Sequence, residues 1–204
     1  MIKNKTAAIL ASIIFILILS AVVWHNIKPI SVVIQAGHEG RTSGNTGSHL
    51  GKIKEVDWNI YVANEVAKKL TSWGIDVKRV GANPKPIKTK IAVAIHFDGS
   101  SKICKSGASI GYQNSKSKEL AKRWEKSYRK YFPFNWQKSN FTNNLKDYYG
   151  YKIIKADKFL VLELGEISCP KQVRWLKPRL KTIAHLIAAT IAQEFGYHPY
   201  IKLR

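Results

Sequence analysis

Four residues have the types and placement to do chemistry: His38, Glu55, His96 and Glu163. His38 follows the apolar run Val32-Val33-Ile34 and sits beside Gly37, which allows a sharp turn and keeps bulk away from the ring. His96 closes a second apolar run, Ile91 to Ile95, and Glu163 lies near the end of a third, Phe159-Leu160-Val161-Leu162. Runs of this kind, without polar alternation, read as strands buried on both faces, which is the pattern of a parallel sheet. In such sheets the carboxyl ends of the strands share one edge, where ligands bind. Two histidines delivered to one edge, with carboxylates near them, match the donor set of a catalytic zinc site that keeps a fourth position open. A further carboxylate beside such an ion can take a proton from water and hand it to a leaving amine. Spacing alone leaves open which carboxylate is a ligand and which is the base. Glu39 is a poor ligand, because neighbours on an extended chain point opposite ways, and Glu166 is a secondary candidate for the base.

Other chemistries lack their signatures. The chain has no His-Glu-x-x-His helix, no Gly-x-Ser-x-Gly elbow and no phosphate-cradling P-loop.

The elements that must position these residues can be read from periodicity. Glu55 to Leu70 is expected to be a helix with Val56, Ile60, Ala63, Ala67 and Leu70 on its apolar face. Glu55 stands in its first turn, where a carboxylate also complements the helix dipole. Ile75 to Val80 reads as the following strand, and Gly81 to Lys90, with Pro84 and Pro86, as a connection. Further strands are expected at Ile91–His96, Gly107–Tyr112 and Phe159–Gly165. Further helices are expected at Ser117–Tyr131 (stripe Leu120, Trp124, Tyr128) and at Arg179–Phe195 (stripe Leu180, Ile183, Ile187, Ile191). Arg41 to Gly51 is a loop at the rim of the site, in which His49 is read as exposed, and His185 falls off its helix stripe. Pro133 to Tyr151, rich in Asn and aromatics, shows no period. Strand–helix–strand order gives an α/β fold.

Residues 6 to 24 carry no charge and have a dense Ile/Leu core preceded by Lys3 and Lys5. That length spans a bilayer as a helix, and no small-residue cleavage site follows the core, so an uncleaved signal anchor is expected over a cleaved signal. The division is then 1–29, anchor and tether, and 30–204, one globular domain outside the cytoplasm. With 34 Lys and Arg against 13 Asp and Glu, the formal charge is +21, which favours an anionic partner. The chain carries no recognisable nucleic-acid module. Cys104 and Cys169 both follow strands that open on the site, and could pair in an oxidising compartment.

The order "VVIQAGHEG", "GKIKEVDWNIYVANEVAKKLTSWGIDVKR", "AVAIHFD" and "KFLVLELGEIS" resembles the zinc-dependent N-acetylmuramoyl-L-alanine amidases of the third amidase family, over about Ser31 to Tyr197. The resemblance implies a mixed, mostly parallel central sheet flanked by helices in three layers, here preceded by the hydrophobic amino-terminal helix. It implies Zn²⁺ held by His38, Glu55 and His96, and Glu163 as the catalytic carboxylate. The substrate would be peptidoglycan, cleaved between N-acetylmuramic acid and L-alanine. Two alternatives are a basic envelope-binding protein on the same scaffold that no longer catalyses, and a phage endolysin with a signal anchor. The chain departs from the family at Gln35, where an acidic residue is usual, at Glu39 for a glycine, at Glu166 for an aromatic, and in lacking a helix across Gly81 to Lys90.

Overall fold

The structure is a computed structural model and describes residues 13–16 and 30–201. A five-stranded sheet forms its centre. The strands are β1 (Val32–Ala36), β4 (Val77–Val80), β5 (Ile87–Asp98), β6 (Ala108–Tyr112) and β7 (Ile154–Glu166), in the order β4-β1-β5-β7-β6. The first four in that order run parallel, and β6 joins the edge antiparallel to β7. β2 (His49–Leu50) and β3 (Ile53–Lys54) form a separate small hairpin.

The two faces of the sheet are covered unequally. On one face, Val32, Ile34, Ile91, Val93, Ile95, Leu160 and Leu162 pack in the larger core. That face lies under the long helices α1 (Glu55–Ser72), α2 (Ser115–Arg129) and α6 (Leu180–Ala192), the last preceded by the short helix α5 (Pro170–Leu176); the long helices add Val62, Val66, Leu120, Trp124, Ile183 and Ile187. On the other face, Val33, Ala92, Ala94, Phe159 and Val161 are covered by Leu145, Tyr148 and Tyr151. These belong to a segment containing only the single-turn helices α3 (Asn143–Lys146) and α4 (Gly150–Ile153). The expected third layer is thus one short segment. No helix forms between β4 and β5, because the six residues joining them include two prolines.

β1 is buried along its whole length, as an unalternating apolar run should be. β5 and β7 begin earlier than their apolar runs suggest. Ile87–Thr89 pairs with Ile154–Ala156 in register, and these Lys-rich leading segments carry little hydrophobic signal.

α1 is rotated from the expected face. Its buried residues are Glu55, Trp58, Asn59, Val62, Ala63, Val66 and Leu70, whereas Val56, Ile60 and Ala67 are only partly covered. Two polar residues, Glu55 and Asn59, occupy the inner face, and a hydrophobicity count discards both. The stripe of α2 is as expected, with Leu120, Trp124 and Tyr128 buried, and Asn114 caps it by accepting from the Ser117 amide.

Cys104 and Cys169 form a disulfide across a 65-residue separation. Closing a loop of this length typically contributes about 2–4 kcal/mol. Cys104→Ser is therefore expected to lower the urea unfolding free energy by about that amount, and an unchanged midpoint would show that the link restrains nothing.

The proposed anchor, residues 6 to 24, lies outside the described residues except for 13–16, which are helical. Among the described residues, no helix is long and apolar enough to cross a membrane.

Candidate active site

Strand register brings the four residues together. Gln35 pairs with Ala94, Ala36 with Ile95, and His96 with Glu163. Side chains alternate along a strand, so Gln35, His96 and Glu163 project from the face of the sheet that Tyr148 covers. His38 lies two residues beyond β1 with φ of 64°, a left-handed conformation uncommon for a non-glycine residue and frequent at functional sites. The preceding Gly37 is required sterically: a Cβ there would lie 2.2 Å from His96 Cε1.

Glu55 is aimed by its position at the start of α1. Its Oε2 accepts from the Ser48 amide at 2.8 Å, and its Oε1 accepts from the Phe97 amide and from Asn59 Nδ2, each at 3.2 Å. Asn59, one turn later, also donates to the Gly37 carbonyl at 3.0 Å, tying the helix to the histidine turn.

Both imidazoles converge on Glu55 Oε1. His38 Nε2 is 3.1 Å away and His96 Nδ1 is 3.2 Å away. The opposite nitrogen of each ring is occupied: His38 Nδ1 donates to the Asn45 carbonyl at 2.9 Å, and His96 Nε2 lies 3.1 Å from the Tyr148 hydroxyl. That hydroxyl donates to Gln35 Oε1 at 2.9 Å, so it can only accept from His96 Nε2–H. Gln35 is fixed in turn by its amide, which donates to the Ala82 carbonyl at 3.0 Å. In a neutral ring these outer bonds leave the inner nitrogen bare and able to ligate a metal ion, whereas in a protonated ring the same nitrogen donates to Glu55 Oε1.

Three buried residues thus offer donor atoms within 4.8 Å of one another, and the group could hold a metal ion. The donor set fits zinc. For bonds of about 2.1 Å, donors in a tetrahedron are about 3.4 Å apart, close to the 3.1 and 3.2 Å from the two ring nitrogens to Glu55 Oε1. Outer hydrogen bonds that fix the ring tautomers are the usual support of such ligands.

Glu163 lines the same cleft as Glu55. Its Oε2 is buried without a hydrogen-bond partner, an uncommon state that calls for a functional reason. Desolvation, with the negative charges of Glu55 and Asp98 adding to it, holds its carboxyl well above the usual range. Burial acts the same way on Glu55, but hydrogen bonds from His38 and His96 outweigh it, and its carboxyl is held low. Burial lowers His96. It also acts to lower His38, but there the Glu55 hydrogen bond prevails and the ring is raised. Two carboxylates pushed in opposite directions are the usual signature of divided roles.

The candidates outside this cluster are accounted for. Glu39 pairs with Arg79. Glu166 is fully buried and accepts from the Cys104 and Ser106 amides and from Ser168 Oγ, anchoring the loop that carries the disulfide. A register shift after His96 and Glu163, with Gly165 at φ 146°, turns Glu166 out of the cleft. His49 is exposed on the small hairpin, and His185 lies 3.9 Å from Glu65. Sequence reasoning missed Tyr148 and Tyr149, which sit in the stretch without a period. It noted Gln35 only as a departure, although a polar residue in an otherwise apolar buried strand is itself a signal.

The cleft above these groups has a volume of about 540 Å³, and its wall includes Arg41, Asp98, Phe141, Tyr148 and Tyr149.

Two proteins of Staphylococcus epidermidis described as probable cell wall amidase LytH are each 24% identical over 163 residues, which is 76% of this chain and 54% of theirs. The chain thus spans about half the length of these relatives. Among solved structures, the catalytic domain of CwlV, an N-acetylmuramoyl-L-alanine amidase from Bacillus (Paenibacillus) polymyxa, superposes with TM-score 0.64 at 20% identity, covering 84% of this chain and 99% of that one. The amidase Ami1 from Mycobacterium smegmatis gives 0.66 at 15% identity, covering 83% and 99%. Residues 32–193 match the family model described as N-acetylmuramoyl-L-alanine amidase, and with most of its length so matched the chain belongs to that family.

Proposed function

We propose that this protein is a zinc-dependent peptidoglycan hydrolase that cleaves the amide between N-acetylmuramic acid and L-alanine. The observation that carries the reading is the convergence of His38, Glu55 and His96 in one open cleft that Glu163, whose Oε2 has no hydrogen-bond partner, also lines. In this reading His38 Nε2, His96 Nδ1 and a Glu55 carboxylate oxygen hold Zn²⁺. The ion, when bound, supplies Lewis-acid polarisation of the scissile carbonyl and makes the attacking water more acidic. Glu163 takes the proton from that water and passes it to the leaving nitrogen of L-alanine. Its desolvated setting suits a group that must both accept and release a proton near neutral pH. Asn45 and Tyr148 hold the imidazoles in the tautomers that ligation needs.

On sequence alone, residues 1–29 act as anchor and tether and 30–204 as the catalytic domain, held outside the cytoplasm. The +21 charge suits the anionic cell wall.

The test joins metal analysis to mass spectrometry of muropeptide products. The protein is expected to retain about one zinc per chain and to release peptides with a free L-alanine amine. Absence of that new amine with zinc bound would overturn the amidase reading.

Tyr148→Phe offers a separate check on the outer hydrogen bonds. The change leaves His96 Nε2–H without its acceptor, and losses of this kind typically weaken metal binding about 10–100-fold. Competition against a chromogenic chelator is expected to show that weakening, and an unchanged zinc affinity would remove Tyr148 from the support of the site.

A further inference from the structure

Arg41 is the one lysine or arginine among the described residues that line the cleft, beside the carboxylates Glu55, Asp98, Asp147 and Glu163. In a chain with 34 such cations, a single one at the reaction site needs an explanation. Its guanidinium lies over the Tyr149 ring, 4.9 Å from the centroid. That ring is pinned by its hydroxyl, which donates to the Ala82 carbonyl at 2.6 Å. A cation held over a ring that is itself tied down is placed before any ligand arrives. Arg41 Nη1 donates to the Asn45 carbonyl at 3.1 Å, and the same oxygen accepts from His38 Nδ1 at 2.9 Å. The cation is therefore one shared oxygen away from a candidate metal ligand. Its charge also acts to lower both imidazoles.

These partners, a carbonyl and an aromatic ring, are uncharged and use only part of the five-donor fork. What the fork fits is a carboxylate, bound bidentately. The substrate class proposed above carries one at the right range. In a stem peptide, the residue after L-alanine is a glutamate linked onward through its side chain, so its α-carboxyl is either free or capped as a carboxamide. From the scissile nitrogen to that carboxyl is two residues of chain, about 7 Å when extended.

We propose that Arg41 forms a subsite for the free α-carboxylate of the second stem-peptide residue and gives this protein a preference for acidic over amidated stems. The inference rests on the amidase reading for its choice of substrate.

The test is isothermal titration of the full 204-residue chain, loaded with Zn²⁺, with two tripeptide amides: L-alanyl-γ-D-glutamyl-L-lysine amide and its counterpart bearing an α-carboxamide on the second residue. The acidic peptide is expected to bind about 10-fold or more tightly, the gain of one good charged contact. Arg41→Met should remove that preference while leaving binding of the amidated peptide near its original value, which also reports an intact fold. Arg41→Lys should keep part of the preference. Equal binding of both peptides by the unaltered chain, or equal weakening of both by Arg41→Met, overturns the proposal. An Arg41-dependent preference in a protein that hydrolyses neither corresponding muropeptide would uphold the subsite and sink the amidase reading instead.

Discussion

Glu163→Gln is expected to reduce peptidoglycan hydrolysis by at least about 100-fold while the protein keeps its zinc. Glutamine preserves the shape of the side chain but cannot take a proton from the attacking water, and general acid–base assistance is typically worth about 10²–10⁴-fold. The setting makes the change mild for the fold. Glu163 Oε2 has no hydrogen-bond partner to lose, and replacing a desolvated carboxyl by a neutral amide removes repulsion from Glu55 and Asp98. Glu166→Gln is the contrasting variant. Its carboxylate ties down the loop around Cys104 and Ser106, so it should alter thermal stability and leave hydrolysis near normal. Near-normal hydrolysis by the Glu163→Gln protein would mean that the base lies elsewhere.

His38→Ala and His96→Ala are each expected to abolish zinc retention. Each change leaves two protein donors and strips Glu55 of a hydrogen-bonding partner in a buried setting, where an uncompensated charge is costly. The readout is zinc per chain after dialysis, together with melting temperature. A ligand that binds only the folded state stabilises it by about 2.7 kcal/mol at 100 times its Kd, so added zinc should raise the melting temperature of the unaltered protein and not of the variants. Stoichiometric zinc in either variant would refute the ligand set.

The sequence made the site legible because its chemistry rides on the strongest local signals. β1 and the apolar cores of β5 and β7 are continuous runs, and each passes directly into a chemical residue. What stayed illegible depends on contacts between distant parts of the chain. Tyr148 reaches Gln35 across 113 positions from a stretch with no periodicity of its own. The face of α1 was misjudged because Glu55 and Asn59 point inward to build the site, where amphipathic reasoning sends polar groups outward. The leading halves of β5 and β7 are held by pairing with each other, so neither announces itself alone. The disulfide joined two cysteines whose distance apart no spacing rule could give.

The unequal covering of the sheet bears on how the site breathes. Single-turn helices have almost no stability of their own, so residues 143–153 stay in place chiefly because Leu145, Tyr148 and Tyr151 plug the exposed face of the sheet. Held by these contacts and by the Tyr148 and Tyr149 hydroxyls, the segment is expected to open locally at a lower free energy than the molecule unfolds. Each detachment takes Tyr148 from His96 and the Tyr149 ring from beneath Arg41. Amide hydrogens of 143–153 should accordingly exchange with solvent faster than those of α1 or α6, and bound zinc should slow them. Metal occupancy and the closure of this thin flap are then two readings of one equilibrium.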